Sequence, residues 1–222
     1  ARGTSVYLAG VIDNRGADFG KTASGEAVGL AAPPQAGGKV AFVLKVDDEG
    51  LPVWAYPIVS APSGYDWYDL MPSVAVREDG RVAVVANRFT EKRRVTVAAV
   101  ISGDGTEPWR LAFETDVGDG NRTAVAWGGA GGLWVGANVR QGFSYVEQDG
   151  PLVLAEISER GELVSSSAFF GGAKLSPGPL AIDPRGRVIS ADVAFHGKQY
   201  EQPHDDVIVH AFGPETVSPL TQ

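Results

Sequence analysis

A pair of strand-like segments recurs four times along this chain of 222 residues, and no other feature restricts its fold as strongly. The first is an apolar segment anchored by glycine: Ser5-Val6-Tyr7-Leu8-Ala9-Gly10, then Gly80 to Ala86, Gly131 to Ala137 and Gly186 to Asp192. The second reads Ala41-Phe42-Val43-Leu44-Lys45-Val46-Asp47, with weaker copies at Val97 to Ser102, Val153 to Ser158 and Val207 to Gly213. With Gly3, Gly80, Gly131 and Gly186 as anchors the spacings are 77, 51 and 55 residues. The last two are close to the roughly 40 to 50 residues of propeller blades. The first is stretched by an insertion rich in Gly, Ala and Pro, from Asp13 to Lys39.

Each unit reads as four short strands. A lead strand (Ser73 to Arg77, Thr123 to Trp127, Leu180 to Asp183) precedes the Gly-anchored strand and the Phe42-type strand. A closing strand follows (Pro52 to Ile58, Pro108 to Phe113, Glu162 to Phe169, Thr216 to Leu220). Four antiparallel strands per repeat leave only short, protected sheet edges, which is the β-propeller solution to the edge-strand problem. The expectation is therefore an all-β fold, a β-propeller with four blade-like repeats at about 3–71, 72–121, 122–177 and 178–222, whole or part of a larger propeller. Nothing before Gly3 can serve as a lead strand, so the first unit opens on its second strand and the total is 15 strands. The missing strand is expected from sequence outside this chain or from another chain, unless the gap stays open.

Composition narrows the class. Apolar residues are 44% and charged residues 21%, enough for a globular core, and 29 Gly with 14 Pro suit many short strands joined by turns. A net charge of −8 opposes the basic patch that nucleic acid requires, so no nucleic-acid partner is expected. Cysteine is absent, which removes disulfides and thiolate metal sites and leaves the redox compartment open. No apolar run approaches the roughly 18 residues of a spanning helix, so membrane insertion is not expected. The chain starts at Ala1 rather than Met, which suggests that a leader or upstream region has been removed.

The segment Val40-Ala41-Phe42-Val43-Leu44-Lys45-Val46-Asp47-Asp48-Glu49-Gly50-Leu51-Pro52-Val53-Trp54 resembles the "DAFVAKLDPSG…W" signature of the bacterial β-propeller repeat family often called SBBP. Asp18-Phe19-Gly20 resembles that family's "DFP" step, and Asp79-Gly80-Arg81-Val82 and Pro184-Arg185-Gly186-Arg187-Val188 resemble its "D.sGnvYvtG" strand. The likeness is sharp in the first unit. Units two and three keep the turn glycines Gly105 and Gly161 and lose the Phe and Lys; unit four has Gly213-Pro214-Glu215 in place of the turn. The resemblance implies a propeller in an extracellular, cell-surface or periplasmic bacterial protein, and implies no single activity.

The two sets of connections differ. One is tight: Asp48-Glu49-Gly50, Glu78-Asp79-Gly80, Gly103-Asp104-Gly105, Glu159-Arg160-Gly161 and Pro184-Arg185-Gly186, each with a Gly for positive φ. Gly128 to Gly132 reads as a further turn between a lead strand and its partner. The other set is long and aromatic: 13–39, 60–71, 114–121, 140–150, 170–177 and 194–205. Binding residues concentrate on loops held by a rigid scaffold, so the long-loop face is the candidate binding face. There, Tyr65-Asp66-Trp67-Tyr68-Asp69 interleaves three aromatics with two carboxylates, suited to stacking a sugar ring or anchoring a protein. The same aromatics also suit filling the space between blades. Phe143, Tyr145, Phe195 and Tyr200 carry the same two readings.

Of the three His, His210 aligns with Leu44, Ala99 and Ala155 and reads as a strand residue. His204-Asp205-Asp206 with His196 offers imidazole and carboxylate ligands in no strong metal spacing, and a solvated loop is the preferred reading. Glu114, Asp116, Asp119 and Asn121 offer oxygens for calcium but lack the Asp-x-Asp-x-Asp-Gly order, and no resident metal or other cofactor is assigned. Signatures of acyl transfer, zinc proteolysis and phosphate loops are absent. Three functions stay open: a non-catalytic scaffold binding a glycan or protein; a polysaccharide hydrolase or lyase using Asp66, Asp69 or His204 as acid or base; and an assembly subunit that accepts a strand from another chain.

Overall fold

The computed structural model describes residues 5–13, 15–33, 37–64, 70, 72–89, 94–114, 123–128, 131–138, 152–169, 174–176, 180–196 and 204–212. The protein is all-β, built from small antiparallel sheets. It divides into two compact units, Ala1–Ala112 and Phe113–Gln222, with the boundary falling inside a strand.

In the first unit, β1 (Val6–Ile12), β4 (Lys39–Val46) and β5 (Pro52–Ala61) form a three-stranded sheet in the order β1-β4-β5. A hairpin, β2 (Ala17–Lys21) and β3 (Ala27–Leu30), forms its own two-stranded sheet. The next sheet is a meander of β6 (Ser73–Val76), β7 (Val82–Phe89), β8 (Arg94–Ile101) and β9 (Trp109–Glu114). In the second unit, β10 (Thr123–Trp127), β11 (Leu133–Asn138), β12 (Leu152–Ile157) and β13 (Leu163–Phe169) form another meander. Its neighbour contains β14 (Lys174–Ser176), β15 (Leu180–Ile182), β16 (Val188–His196) and β17 (His204–Phe212).

The repeat therefore governs the sheets, including the first unit's three strands. In three of the sheets register follows the anchors: the residue four beyond Gly80, Gly131 and Gly186 pairs with the aligned position of the next strand, Val84 with Ala99, Val135 with Ala155 and Ser190 with His210, whereas in the first sheet the aligned Leu44 pairs with Leu8, five beyond Gly3. Three expectations need correcting. The insertion at 13–39 contains the β2–β3 hairpin, because Thr22-Ala23-Ser24-Gly25 supplies the same turn chemistry as the other units. The lead strand of the last sheet comes in two pieces, β14 and β15, which pair with opposite halves of β16. The long loop expected at 194–205 is shorter, since β16 and β17 stay paired out to His196 and His204. The β-branched and aromatic residues Val193, Phe195, Val207 and Val209 continue the strand pattern that far. The closing strand expected at 216–220 lies outside the described residues.

Among the described residues one turn closes seven hairpins: Thr22 to Glu26, Asp47 to Leu51, Arg77 to Arg81, Ser102 to Thr106, Gly128 to Gly132, Ser158 to Glu162 and Asp183 to Arg187. In each, the first amide donates to the fifth carbonyl at 2.7–3.0 Å and the fourth amide returns to the first carbonyl at 2.9–3.2 Å. The fourth residue is always glycine, with φ between 77° and 89°, the left-handed conformation that ends a three-residue hairpin loop. Asp47, Ser158 and Asp183 also accept backbone N–H groups of their own turns through their side chains. These bonds, Arg187's first, hold the Asp183 carboxyl below the usual carboxylate range, and the Arg187 guanidinium 2.7 Å away acts in the same direction.

The core of the first unit lies between its two larger sheets. Ala41, Val43, Ile58 and Val59 meet Val82, Val84, Ala86, Val97, Ala99 and Ile101, and the fully buried Leu70 belongs to the same cluster. Alternate residues of β7 and β8 face this core, as strand geometry requires. Fully burying one such Val or Ile side chain contributes about 1.5–3 kcal/mol. In the second unit Trp134 and Leu154 pack with Val188 and Phe212, and Leu180 and Ile182 close around them.

Phe42, Lys45 and Trp54 have distinct physical tasks in the first unit. Phe42 is the cross-strand partner of Gly10, and a Cβ on Gly10 would stand 3.0 Å from its ring; the aromatic covers the glycine. Phe19 of the hairpin stacks on Phe42 with ring centroids 5.2 Å apart. At the tight-turn end, Lys45 Nζ and Trp54 Nε1 both donate to the Gly103 carbonyl, at 2.9 and 3.1 Å, and Tyr7 donates to the Gly80 carbonyl at 3.2 Å.

Candidate functional site

The turns of the two larger sheets in the first unit share one end, because the β1, β4 and β5 residues Tyr7, Lys45 and Trp54 reach the turns after β6 and β8. The opposite end holds a cleft of about 420 Å³. One wall is the segment after β3, Leu30 to Pro33, and the start of β4 at Val40. The other is the far half of β5, Pro57 to Ser60. Two cations complete it, Arg88 from the end of β7 and Arg110 from β9.

The two arginines are held differently. Arg110 is engaged: its Nη1 donates to the Ile58 carbonyl at 2.8 Å, and its Nε and Nη2 fork onto Glu107, the shortest contact being 2.6 Å. Glu107 also accepts a hydrogen bond from Tyr56. Burial alone would lower the Arg110 pKa, but its bond to Glu107 and that carboxylate's charge outweigh it, so the guanidinium is held above its usual value. Tyr56 is pushed above the usual phenol value by burial first and by Glu107 second. Arg88 is exposed, and no hydrogen bond or ion pair joins its side chain to another group among the described residues.

A cleft with one aliphatic wall and one guanidinium that makes no hydrogen bond or ion pair among the described residues can seat an anionic head and an aliphatic body. The described residues that line it include no carboxylate or imidazole to act as acid or base.

Sequence reasoning favoured the long-loop end of the sheets as the binding face and named neither Arg88 nor Arg110. Tyr65, Asp66, Trp67, Tyr68 and Asp69 lie outside the described residues, as do Phe143, Tyr145, Tyr200, Asp116, Asp119 and Asn121. Glu114 is the last residue of β9. His204 opens β17 directly opposite His196, with Asp206 opposite Ala194. Among the described residues no group of three or more His, Cys, Asp or Glu is placed to hold a metal ion, and no helix is long and apolar enough to cross a membrane.

No protein-family model matches the chain, and neither does any curated protein.

Proposed function

We propose that this chain forms blades of a β-propeller and serves as a non-catalytic binding scaffold in a secreted or cell-surface bacterial protein. It contacts a glycan or protein partner through the end of its sheets that carries the long connections. The observation behind this reading is the asymmetry of the sheets. One five-residue turn closes hairpin after hairpin, while the first unit's cleft opens at the other end. A scaffold that fixes one end and varies the other presents that other end to partners. The likeness of the first repeat to SBBP propeller repeats supports the same assignment.

A glycan array and a pull-down with the full chain test it. Retention of a glycan or a protein, weakened by substitutions at Tyr65, Trp67 or Tyr68 but not at the tight turns, is the expected result. Turnover of a saccharide without stable retention of any partner would replace it with the hydrolase or lyase reading.

Assembly by strand addition is favoured by one separate observation. β1 pairs only with β4 among the described residues, and its Val6 and Leu8 are 48% and 49% exposed. An exposed apolar edge strand is a template for another strand. Sedimentation of the full chain across a concentration series tests it: concentration-dependent association that Leu8→Pro abolishes supports it, and a monomer at every concentration removes it.

A further inference from the structure

We infer that the cleft of the first unit is a binding site for a medium-chain aliphatic carboxylate, its head held by Arg88 and its hydrocarbon body laid against Leu30, Ala32, Pro33 and Val40. The inference does not depend on the propeller reading; it rests on this cleft alone.

Charge fixes the head group. Arg110 is already satisfied by Glu107 and the Ile58 carbonyl, so its positive charge is locally balanced. Arg88 is not, which leaves the cleft one cation in a chain whose net charge is −8. A single guanidinium matches a monoanion, and its planar fork meets the two oxygens of a carboxylate side by side. A polyanion would bring more negative charge than this one guanidinium can match.

Shape and chemistry fix the body. Along the wall opposite β5 the side chains are Leu30, Ala31, Ala32, Pro33 and Val40, all aliphatic or proline. Among the described residues of the lining none is aromatic, and the aliphatic wall they form is a better complement to an alkyl chain than to a sugar ring. The volume, about 420 Å³, stands near the small end of the roughly 300–1,000 Å³ typical of ligand sites.

Calorimetric titration of the full chain with octanoate, 1-octanol and octylamine tests the assignment. Octanoate should bind to one site and at least about ten-fold more tightly than either neutral or cationic analogue, the size of effect expected when a charge-assisted hydrogen bond is lost. Arg88→Ala should weaken octanoate by about the same factor and leave 1-octanol unchanged. Arg88 is exposed at a strand end, so its thermal unfolding should match that of the parent chain. Ala32→Trp, at an exposed position, fills the cleft and should abolish binding of both. Amide shifts on titration should centre on Val40, Val59 and Arg88. Octanoate binding no tighter than 1-octanol, an Arg88→Ala affinity equal to the parent's, or shifts centred elsewhere would each overturn the assignment.

Discussion

Trp54 reaches out of the first unit's three-stranded sheet and donates its indole N–H to the carbonyl of Gly103, 3.1 Å away in the turn between β8 and β9. Lys45 donates to the same oxygen at 2.9 Å. The Tyr7 ring stands 6.0 Å from the Trp54 ring, and Lys45 Nζ lies 5.8 Å from the centre of the Tyr7 ring. Three side chains of one sheet thus clasp the turns of the next.

Trp54→Phe should lower stability by about 1 kcal/mol, the net value of one hydrogen bond, while keeping most of the packing. The adjacent glycine gives a sharper test. Gly50 and Gly105 occupy the same turn position with φ of 81° and 89°, so alanine at either carries the left-handed cost of about 1–2 kcal/mol. A Cβ at Gly50 meets nothing within 4 Å, whereas at Gly105 it comes 3.1 Å from Trp54 Cγ. Gly105→Ala should therefore lower the urea midpoint more than Gly50→Ala, and equal midpoints would show that the indole does not hold this turn.

Arg110 should matter through the backbone more than through its ion pair. Its donation to the Ile58 carbonyl satisfies a residue that is 1% exposed. Arg110→Ala leaves that oxygen without this donor, at a cost of about 1–3 kcal/mol. Its partner Glu107 sits in a partly exposed pair, with the Arg110 side chain 36% and the Glu107 side chain 19% exposed, and glutamine keeps an oxygen to accept from the guanidinium, so Glu107→Gln should cost about 1 kcal/mol. Denaturant midpoints for the two variants check the order. A larger loss from Glu107→Gln would reverse it.

The sheets were legible in the sequence because their turns are chemically uniform: a glycine at the fourth position marks each end, and the strands follow by counting. The same signal was present at Gly25, where the β2–β3 hairpin went unread because Gly, Ala and Pro around it looked like an irregular insertion. The cleft was not legible. Leu30, Pro57, Arg88 and Arg110 come from four strands with no shared period, and only folding brings them together. Composition could not show either that Arg110 is occupied and Arg88 is not, because that distinction depends on where Glu107 and the Ile58 carbonyl fall in space.

Alkaline stability should carry the mark of Tyr56. Burial, then Glu107, raises its folded pKa above the ordinary value of 10.0. A group whose folded pKa is raised contributes its full stabilisation below the unfolded value and loses it as pH rises through the folded value. The loss should begin near pH 10 and continue upward, and Tyr56→Phe should flatten that part of the stability profile while leaving neutral pH nearly unaffected by titration. Tyr7, raised by burial, keeps a smaller alkaline slope in the variant. Unfolding midpoints measured against pH for the parent and Tyr56→Phe decide the matter; parallel curves above pH 10 would mean that Tyr56 titrates alike folded and unfolded.

Among the described glycines of the second unit the tightest is Gly132, just before β11. A Cβ there would stand 2.6 Å from the Ile157 carbonyl oxygen, a backbone atom that cannot turn aside. Gly132→Ala must push apart the ladder that pairs Leu133 with Ile157 and Val135 with Ala155, at an overpacking cost of about 1–3 kcal/mol. Gly128, four residues earlier in the same turn, is the control. Its nearest contact for an added Cβ is 3.3 Å, from the Gly132 carbonyl, so alanine there asks for a shift of only a few tenths of an ångström. Hydrogen exchange should show lost protection at Leu133, Val135 and Ala155 in Gly132→Ala and near-parent protection in Gly128→Ala. Equal protection in the two variants would mean that β11 and β12 can separate locally without cost to the ladder.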